Sequence, residues 1–583
     1  MPDPARVYRD RYYVGSALVV EQGAASLTAN ATAILILPPL GYEDTCAYRP
    51  LRVLADALVE KGHLVLRIDW PSLGDSAGNV DDPDLLASWL AALTEVASAL
   101  RARGVATVAG IAVRAGGLVA LCAPEIDDLV LWAVPASGKA YLREERAFHK
   151  MARQAFGQIP AGVPGLPEGA VEAGGFVYGA ETVRAVEGLE AVALARTSGK
   201  RRVFLLGRDG VPADESLVAA FSATGADVSS ASPIGLGDLL DNPYRASLSD
   251  AVRDAIVHWF GQGGERVPIR PLPVREPVND RAVPASSPPE ATRALRLGDG
   301  VHEYPWAAAG GAGELSGIVC LPAGGVAPHA AWTLFFNAGG IRRCGPNRLW
   351  TQAARALASG GFPSLRFDVR DVGDSDGTSI PHADLEAMYS EASIDDAVTA
   401  YDWVASQRAG SIDVVGLCSG AFFGVQVAAR RRVRRALLFN GLAYVWDDDA
   451  RASGMTAQIR GSLLDRRRWR RLVTGRIDAL ALTHAVAQKT RIELSVAVAR
   501  LAGRPPPSPV DALLTQVQAR GTSLHLVSSE GDPSIAYVQE HVPQHRMPRL
   551  TIVPGVDHTL RPAWAHARVV ELVTINVCAL EPQ

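Results

Sequence analysis

Short apolar runs alternate along the chain with longer stretches in which apolar side chains recur every three or four positions. The short runs predict buried strands, and the longer stretches predict amphipathic helices. Alternation of this kind is typical of a parallel sheet covered by helices on both faces. The pattern therefore predicts an α/β fold with strands at residues 33–37, 105–111, 128–134, 202–206, 332–336, 412–415, 436–440 and 523–527. Two more strands, around 294–297 and 316–321, are expected to open a second sheet in antiparallel sense.

One stretch of sequence occurs twice. Residues 53–79 align without gaps with residues 352–378, and 11 of the 27 positions are identical. Both copies predict a helix, a buried strand and a loop, Gly74-Asp75-Ser76 in the first and Gly373-Asp374-Ser375 in the second. A repeat on this scale indicates two tandem copies of one domain.

Composition separates the two copies. Residues 266–293 are rich in proline and polar side chains, which is typical of a stiff linker. We therefore expect one domain at residues 1–265 and a second at 294–583. Within the second, residues 445–510 are an insertion with helical patterns, which predicts a cap over the carboxyl edge of the sheet.

The strand predicted at 412–415 leads into the pentapeptide Gly416-Leu417-Cys418-Ser419-Gly420. A strand followed by Gly-x-nucleophile-x-Gly is a nucleophile elbow, a turn so tight that its central side chain is exposed at the top of the sheet. The central side chain here is the thiol of Cys418, so we expect this residue to be the nucleophile. Ser419 is the weaker alternative because it lies beside the exposed position.

A strand that ends in this elbow resembles those of α/β-hydrolases, and the resemblance implies an acid and a base beyond later strands, in the order nucleophile, acid, base. Asp532 follows the strand predicted at 523–527, and His558 follows an apolar run near the end of the chain. We expect His558 to take the proton of the nucleophile, and Asp532 to orient the imidazole and stabilise its cation. Glu530 and Asp557 are alternative acids because each lies within two residues of these positions.

An acyl-transfer reaction also needs two donors for its oxyanion, each worth roughly 3 kcal/mol in the transition state. We expect one from the backbone N–H of Ser419 and the other from the turn that contains Gly339 and Gly340. Three further side chains are candidates for substrate contacts, namely Arg343, Arg348 and His382. For the two arginines, pairing with other residues of the protein is an equal alternative.

The first copy lacks this chemistry. Its matching segment places Arg114 where the second copy has Cys418, or Ala112 if the alignment shifts by two residues. Neither is a nucleophile, and no histidine occurs between His149 and His258. The first domain is therefore predicted to be non-catalytic. It is either a platform that shapes the active site or a cleft in which Arg114 binds an anionic part of the substrate.

The elbow, the strand order and the repeat together resemble the α/β-hydrolase fold, twice in tandem. The segments Asn337-Ala338-Gly339, Arg343 and Gly345-Pro346-Asn347-Arg348 are similar to those of bacterial serine-aminopeptidase-type and exosortase-associated hydrolases. Polyhydroxyalkanoate synthases and dienelactone hydrolases also use an elbow cysteine, although no further motif connects this chain with either group. The resemblance implies a reaction class, acyl transfer, but no particular substrate.

The formal net charge is −4 over 583 residues, which gives no basic field for nucleic acid or an anionic membrane. The six cysteines include no CxxC pair and no zinc spacing, so we expect a reducing compartment and neither a metal nor another cofactor. No apolar signal segment begins the sequence, and no run of about 18 apolar residues predicts a membrane span. These features favour a cytoplasmic location.

The sequence thus predicts an enzyme that forms a thioester on Cys418 from an ester or thioester donor. The acyl group then passes to an amine, hydroxyl or thiol acceptor, as in secondary metabolism. Release to water by a (thio)esterase is the alternative, and a non-catalytic binding or scaffold protein is the alternative from another class. The expected partner is a small-molecule acyl substrate. The basic run at 466–471 has two interpretations: it binds an acyl donor carried by coenzyme A or by a carrier protein, or it is the solvated face of a helix. A homodimer is also left open.

Overall fold

The computed structural model describes residues 7–24, 32–79, 82–155, 159–199, 201–262, 294–298, 300–377, 385–407, 409–447 and 508–578. Three predictions fall outside these ranges and stay predictions. They are the linker at 266–293, most of the cap at 445–510, and a substrate contact by His382.

The first half of the chain builds a mixed sheet. The strands of this half are β1 (Val7–Val14), β2 (Ala17–Ala24), β3 (Thr32–Leu37), β4 (Leu64–Ile68), β5 (Thr107–Val113), β6 (Asp128–Trp132), β7 (Val171–Ala173), β8 (Phe176–Tyr178), β9 (Arg202–Leu206) and β10 (Asp227–Ala231). Among the described residues, eight of them form one sheet in the order β1-β2-β4-β3-β5-β6-β9-β10, and β7 and β8 form a separate hairpin. The pairs β1·β2 and β2·β4 are antiparallel, and the later neighbours are parallel.

Helices cover both faces of this sheet. They are α1 (Tyr42–Glu60), α2 (Leu85–Ala102), α3 (Ala115–Leu121), α4 (Gly138–Ala152), α5 (Ala180–Glu187), α6 (Ala191–Thr197), α7 (Glu215–Ala223), α8 (Leu236–Leu239) and α9 (Asp250–Gly261). Of the helices described, only α2 is long and apolar enough to cross a membrane by length and composition. Its side chains Trp89, Leu93 and Val96 are buried in the core of the first half, so it packs as a core helix.

The second half repeats this arrangement. Its strands are β11 (Leu295–Leu297), β12 (Val301–Gly310), β13 (Gly313–Pro322), β14 (Ala331–Phe336), β15 (Ser364–Phe367), β16 (Ser411–Leu417), β17 (Arg435–Phe439), β18 (Ser523–Ser529) and β19 (Arg549–Val553). Within the described ranges they form a nine-stranded sheet in the order β11-β12-β13-β15-β14-β16-β17-β18-β19. The helices are α10 (Leu349–Ser359), α11 (Leu385–Met388), α12 (Glu391–Ser406), α13 (Ser419–Arg430), α14 (Pro509–Ala519), α15 (Pro533–His541) and α16 (Ala563–Cys578).

The prediction of two parallel-rich sheets flanked by helices is confirmed. From β12 onward the second sheet has the same succession of antiparallel and parallel strands as the first. The strand predicted at 105–111 begins two residues later, because the N–H of Val105 instead closes the end of α2 on the carbonyl of Leu100. The strand predicted at 128–134 ends at Trp132, because Ala133 turns into the left-handed region with φ of 52°. The domain limits at 265 and 294 stay predictions.

Both sheets bury their two faces, as parallel sheets require. In β3, Ala33, Leu35 and Leu37 join one apolar cluster, whereas Ile34 and Ile36 join another. Successive side chains on a strand point to opposite faces, so one continuous apolar run supplies both layers of the core.

The two halves meet through their repeated Gly-Asp-Ser loops. Arg67 in β4 donates to Asp374 of the second loop, and the equivalent Arg366 in β15 lies 3.4 Å from Asp75 of the first loop. The side chains of Asp75, Asp374 and Arg366 are fully buried, and that of Arg67 is nearly so. Because the contact recurs with the roles of the halves exchanged, the two copies are related by an approximate two-fold axis.

Candidate active site

Cys418 occupies the turn between β16 and α13, as the elbow predicts. Its backbone has φ of 58° and ψ of −113°, and its N–H donates to the carbonyl of Phe439 at 2.9 Å. A positive φ is rare for a residue with a side chain and concentrates at functional sites. A Cβ atom on Gly416 would lie 2.1 Å from the carbonyl oxygen of Gly420, and one on Gly420 would lie 2.6 Å from that of Asn337. The bend therefore requires both glycines.

The structure joins His558 to Asp532. Their Nδ1 and Oδ2 atoms are 2.8 Å apart, and the other carboxylate oxygen of Asp532 accepts the N–H of Ser534 at 2.9 Å, which caps α15. Nε2 of His558 makes no hydrogen bond to any described residue. Cys418 is the strongest charge acting on this imidazole. The three predicted triad residues are thus brought together, with the imidazole between the thiol and the carboxylate.

Charge and burial shift the pKa values of His558 and Asp532 in opposite directions. Removal from water lowers the pKa of His558, but the charge of Cys418 and the hydrogen bond to Asp532 outweigh it, so the pKa is raised well above its usual value. Burial raises the pKa of Asp532, but the hydrogen bond from His558 outweighs it, and the net pKa is lowered. The surroundings therefore favour the protonated form of His558 and the ionised form of Asp532.

The geometry also separates Asp532 from its rivals. Glu530 is exposed at the surface. The carboxylate of Asp557 accepts the backbone N–H of Arg561 at 2.8 Å and a hydrogen bond from Thr559 at 3.1 Å, and it also binds the guanidinium of Arg561. Of the three acids considered, only Asp532 touches the imidazole.

One part of the expected oxyanion arrangement is corrected by the structure. The N–H of Gly339 donates to Oγ of Ser419 at 2.8 Å, so this amide is engaged with a neighbouring side chain. Ser419 is buried, with its hydroxyl held against the turn, which also removes it as a rival nucleophile. The N–H of Ser419, at the first position of α13, has no intrahelical acceptor, and Gly340 makes no backbone hydrogen bond to the described residues. Ser419 and Gly340 therefore remain the candidate donors.

Asn440 is a site residue that sequence reasoning missed. It follows β17 with φ of 46°, and its side chain donates to the carbonyl of His558 at 2.7 Å and to Oγ of Ser529 at 2.9 Å. Its own oxygen accepts the N–H of Ser529 at 2.7 Å. Asn440 therefore ties the loop of the base to the strand that precedes the acid. A polar residue directly after an apolar strand was the available signal, and Ala133 stands at the equivalent place in the first half.

Arg343 and Arg348 are not placed at the active site. Arg343 is fully buried and pairs with Asp75 at 2.8 Å and with Asp368 at 2.6 Å. Arg348 is also buried, and its guanidinium donates to three backbone carbonyls of the first half, at Gly74, Ser76 and Gly78. Of the two alternatives for these arginines, structural pairing is the one that the structure supports, since Arg348 donates to carbonyls of the first half and Arg343 is buried among carboxylates of both halves.

The other five cysteines differ from Cys418 in their surroundings. Burial raises the pKa of each of these thiols, to about 12 for Cys344, and so disfavours their reactive thiolate forms. All six cysteines lie within the described residues, and none forms a disulfide.

In the first half, Arg114 occupies the elbow, with φ of 54° and ψ of −128°. Its guanidinium pairs with Glu43 at 3.0 Å and with Glu144, and it lies at the wall of a cavity of about 250 Å³. Two carboxylates already neutralise this cation, so it is not poised to bind an anion. This disfavours the cleft with an anion-binding arginine and leaves the platform role for the first half.

No family model matches the chain, and no curated protein matches it. Solved structures similar to it include an α/β serine hydrolase without a lid from Xanthomonas campestris, with 18% identity over 50% of this chain and 97% of the other, at a TM-score of 0.30. A dienelactone hydrolase from Anabaena variabilis is 16% identical over 47% and 96%, with a TM-score of 0.30. An acetyl xylan esterase from Paenibacillus is 15% identical over 48% and 87%, again with a TM-score of 0.30.

The strand order decides the fold. In each half the sheet begins with antiparallel strands. The next two strands then lie in the reverse of their chain order, as β4-β3 and β15-β14, and the strands after them are parallel up to the far edge. This is the α/β-hydrolase fold. The elbow of each half lies at the carboxyl end of its central strand, where open α/β sheets place their sites.

Proposed function

We propose that the second half is a cysteine-dependent acyl-transfer enzyme. The thiolate of Cys418 attacks the carbonyl carbon of an ester or thioester, and the N–H groups of Ser419 and Gly340 hold the resulting oxyanion. His558 then gives its proton to the departing alcohol or thiol as the tetrahedral adduct collapses to a thioester on Cys418. In the second step His558 takes the proton of an incoming amine, hydroxyl or thiol, which displaces the sulfur and carries away the acyl group.

The observation that supports this proposal most is the Asp532–His558 pair beside the elbow. Nδ1 of His558 is fixed by the 2.8 Å bond to Asp532, which leaves Nε2 for the proton that moves. The pKa of His558 is raised well above its usual value, mainly because the charge of Cys418 outweighs burial. The raised pKa of His558 favours its protonated form beside Cys418, which is the form that gives a proton to the leaving group.

Release of the acyl group to water is the second candidate function. One observation favours it, since the side chain of His558 is 31% exposed. Nε2 itself is buried, so a hydrolytic water would take the place of the acceptor beside the acyl group. The two functions share every step up to the thioester and differ only in the acceptor.

The test is turnover of a panel of acyl p-nitrophenyl esters and acyl thioesters, each with and without a primary amine, alcohol or thiol. We expect the acceptor to divert product from free acid to amide, ester or new thioester, and we expect Cys418→Ala to lose turnover. Cys122→Ala is the matched control and is expected to keep it. Free acid alone, under every acceptor, would identify the hydrolase instead.

A non-catalytic binding or scaffold role makes a different prediction. It requires that no substrate of the panel turns over beyond the rate of Cys418→Ala, while the protein remains folded by its unfolding profile. That outcome would refute both catalytic functions together.

A further inference from the structure

We propose that the first half of the chain is part of the active site, and that its Tyr244 forms one wall of the pocket that receives an uncharged acyl group. This inference rests on the proposed function for its meaning, because the pocket is that of the Cys418 acyl enzyme. The contact itself is independent of the chemistry.

The first half reaches the oxyanion turn directly. A Cβ atom on Gly340 would lie 2.7 Å from the carbonyl oxygen of Pro243 and 3.1 Å from Cα of Tyr244. A Cβ atom on Gly339 would lie 3.7 Å from the ring of Tyr244. The turn that is expected to hold the oxyanion is therefore lined on one side by residues of the other half.

Tyr244 is held rigidly at this place. Its backbone N–H donates to the side-chain oxygen of Asn242 at 2.9 Å, and the carbonyl of Asn242 accepts the N–H groups of Arg245 and Ala246. Pro243 fixes the intervening backbone torsion. A segment of this kind presents one side chain with little loss of entropy on binding.

The surroundings of the nucleophile connect Tyr244 to the acyl pocket. Burial is the largest cause of the raised pKa of Tyr389, and the charges of Cys418, Tyr244 and Tyr537 raise this pKa further. The ring of Tyr389 also stacks on Trp446 with centroids 4.3 Å apart. Tyr244 and Tyr537 also pack against the buried apolar cluster that contains Tyr389, so aromatic rings of both halves meet here.

This cluster sets the class of acyl group. Tyr244 and Trp446 pack against the buried apolar cluster that contains Tyr389 and Phe422. A charge on the acyl chain would lose its hydration among these rings. Aromatic walls instead favour an apolar or planar acyl group.

A second contact supports the same role for the first half. The hairpin of β7 and β8 touches the loop that follows the base: Glu172 accepts the N–H of Ala563 at 2.9 Å. A Cβ atom on Gly175 would lie 2.0 Å from the carbonyl oxygen of Arg561. The first half thus packs against both the oxyanion turn and the loop that carries His558.

The experiment measures the size of the pocket with two thiol reagents. Iodoacetamide and the bulkier iodoacetanilide are reacted with the full chain, and alkylation of Cys418 is followed by intact mass and peptide mapping. The variants are Tyr244→Ala, Tyr244→Phe and Tyr244→Trp. Ile234→Ala is the matched control, because Ile234 lies in the same segment of the first half but is 67% exposed.

We expect Tyr244→Ala to raise the ratio of iodoacetanilide rate to iodoacetamide rate at least fivefold, and Tyr244→Trp to lower it. Tyr244→Phe and Ile234→Ala are expected to stay within twofold of the wild type. If Tyr244→Ala fails to fold, the Phe and Trp variants carry the comparison. An unchanged ratio in folded Tyr244→Ala and Tyr244→Trp would overturn the inference.

The acyl class is tested with the p-nitrophenyl esters of butyrate and of succinate, the second of which carries a free carboxylate. We expect kcat/KM to be at least tenfold higher for butyrate, and equal values would overturn the uncharged class. Failure of the proposed function appears differently. In that case Cys418 still alkylates, and Tyr244 still alters the size ratio, but no ester turns over.

Discussion

Replacement of Arg343 by methionine tests the contact between the halves. The guanidinium of Arg343 lies 2.8 Å from Asp75, 2.6 Å from Asp368 and 3.1 Å from Asp374, and all four side chains are fully buried. Methionine keeps much of the volume and the flexible stem but removes the charge. The buried network then loses the cation that three carboxylates share.

The magnitude follows from what each carboxylate retains. Asp75 keeps Arg366 at 3.4 Å, and Asp374 keeps Arg67, whereas Asp368 loses the one cation with which it pairs among the described residues. Breaking one buried pair and leaving its partner uncompensated costs about 3–5 kcal/mol. For a cooperative unit of about 250 residues this corresponds to a fall in Tm of roughly 6–20 °C.

The assay is urea and thermal unfolding of the full chain at pH 7. Arg253→Met is the control, since Arg253 is a partly exposed arginine that pairs with the exposed Asp250, and its loss is expected to cost below about 1 kcal/mol. The double variant Arg343→Met with Asp368→Asn removes both charges while it keeps an acceptor for Asn337 and for the backbone N–H groups, and it is expected to recover part of the lost stability.

The pH dependence gives a second signature. Burial raises the pKa of Asp368, and loss of the Arg343 charge raises it further. The wild type therefore has the larger free energy of unfolding at neutral pH. This difference becomes smaller as the pH falls and Asp368 of the variant is protonated. A free energy of unfolding for Arg343→Met within about 0.5 kcal/mol of the wild-type value at pH 7 would refute the reasoning.

The remaining predictions concern the catalytic loops. Asp532→Asn leaves the α15 cap possible but favours the wrong imidazole tautomer, so kcat should fall by a factor on the order of 10⁴ with little change in unfolding midpoint; a fall below tenfold would contradict the assigned acid. By NMR, the imidazole of His558 should titrate above the ordinary midpoint of about 6.5, and Cys418→Ala should lower that midpoint, since the Cys418 charge is the first influence that raises it; an unchanged midpoint would contradict the pairing. Gly175→Ala should displace the carbonyl of Arg561 and lower kcat more than it raises KM. Gly179→Ala is the control, because a Cβ there meets no atom within 4 Å, and it should have no such effect. Equal kinetics for both variants would contradict contact between the first half and the loop that follows His558.

Much of the fold could be predicted because its signals are local. Buried parallel strands are continuous apolar runs, so β3 and β14 were visible directly in the sequence. The internal repeat then supplied the architecture of both halves. The elbow was equally visible, because its glycines are required by close backbone approach at Gly416 and Gly420.

The residues whose roles the sequence left open depend on long-range contacts. Arg343 and Arg348 follow the oxyanion turn, where a charged side chain suggests a substrate contact. The partners of Arg348 lie about 270 residues away in the other half, as in its bond to Gly78, and Arg343 pairs with Asp75 of that half as well as with Asp368 of its own. No periodicity or motif encodes such a pairing, and a buried arginine looks like an exposed one in a single sequence.

The same limit applies to the active site. Tyr244 lies in a segment of the first half with no catalytic motif, and only the packing of the two copies places it beside Gly339. The engagement of the Gly339 amide by Ser419 was also invisible, because the sequence places a turn but not the direction of each N–H.

The most direct test of the account is the intact mass of the full chain after brief exposure to an activated acyl ester. We predict one added acyl group per chain, mapped by peptide analysis to Cys418, released by hydroxylamine and absent from Cys418→Ala. An adduct on any other residue, or equal labelling of wild type and Cys418→Ala, would contradict the claim that this thiol carries the acyl group.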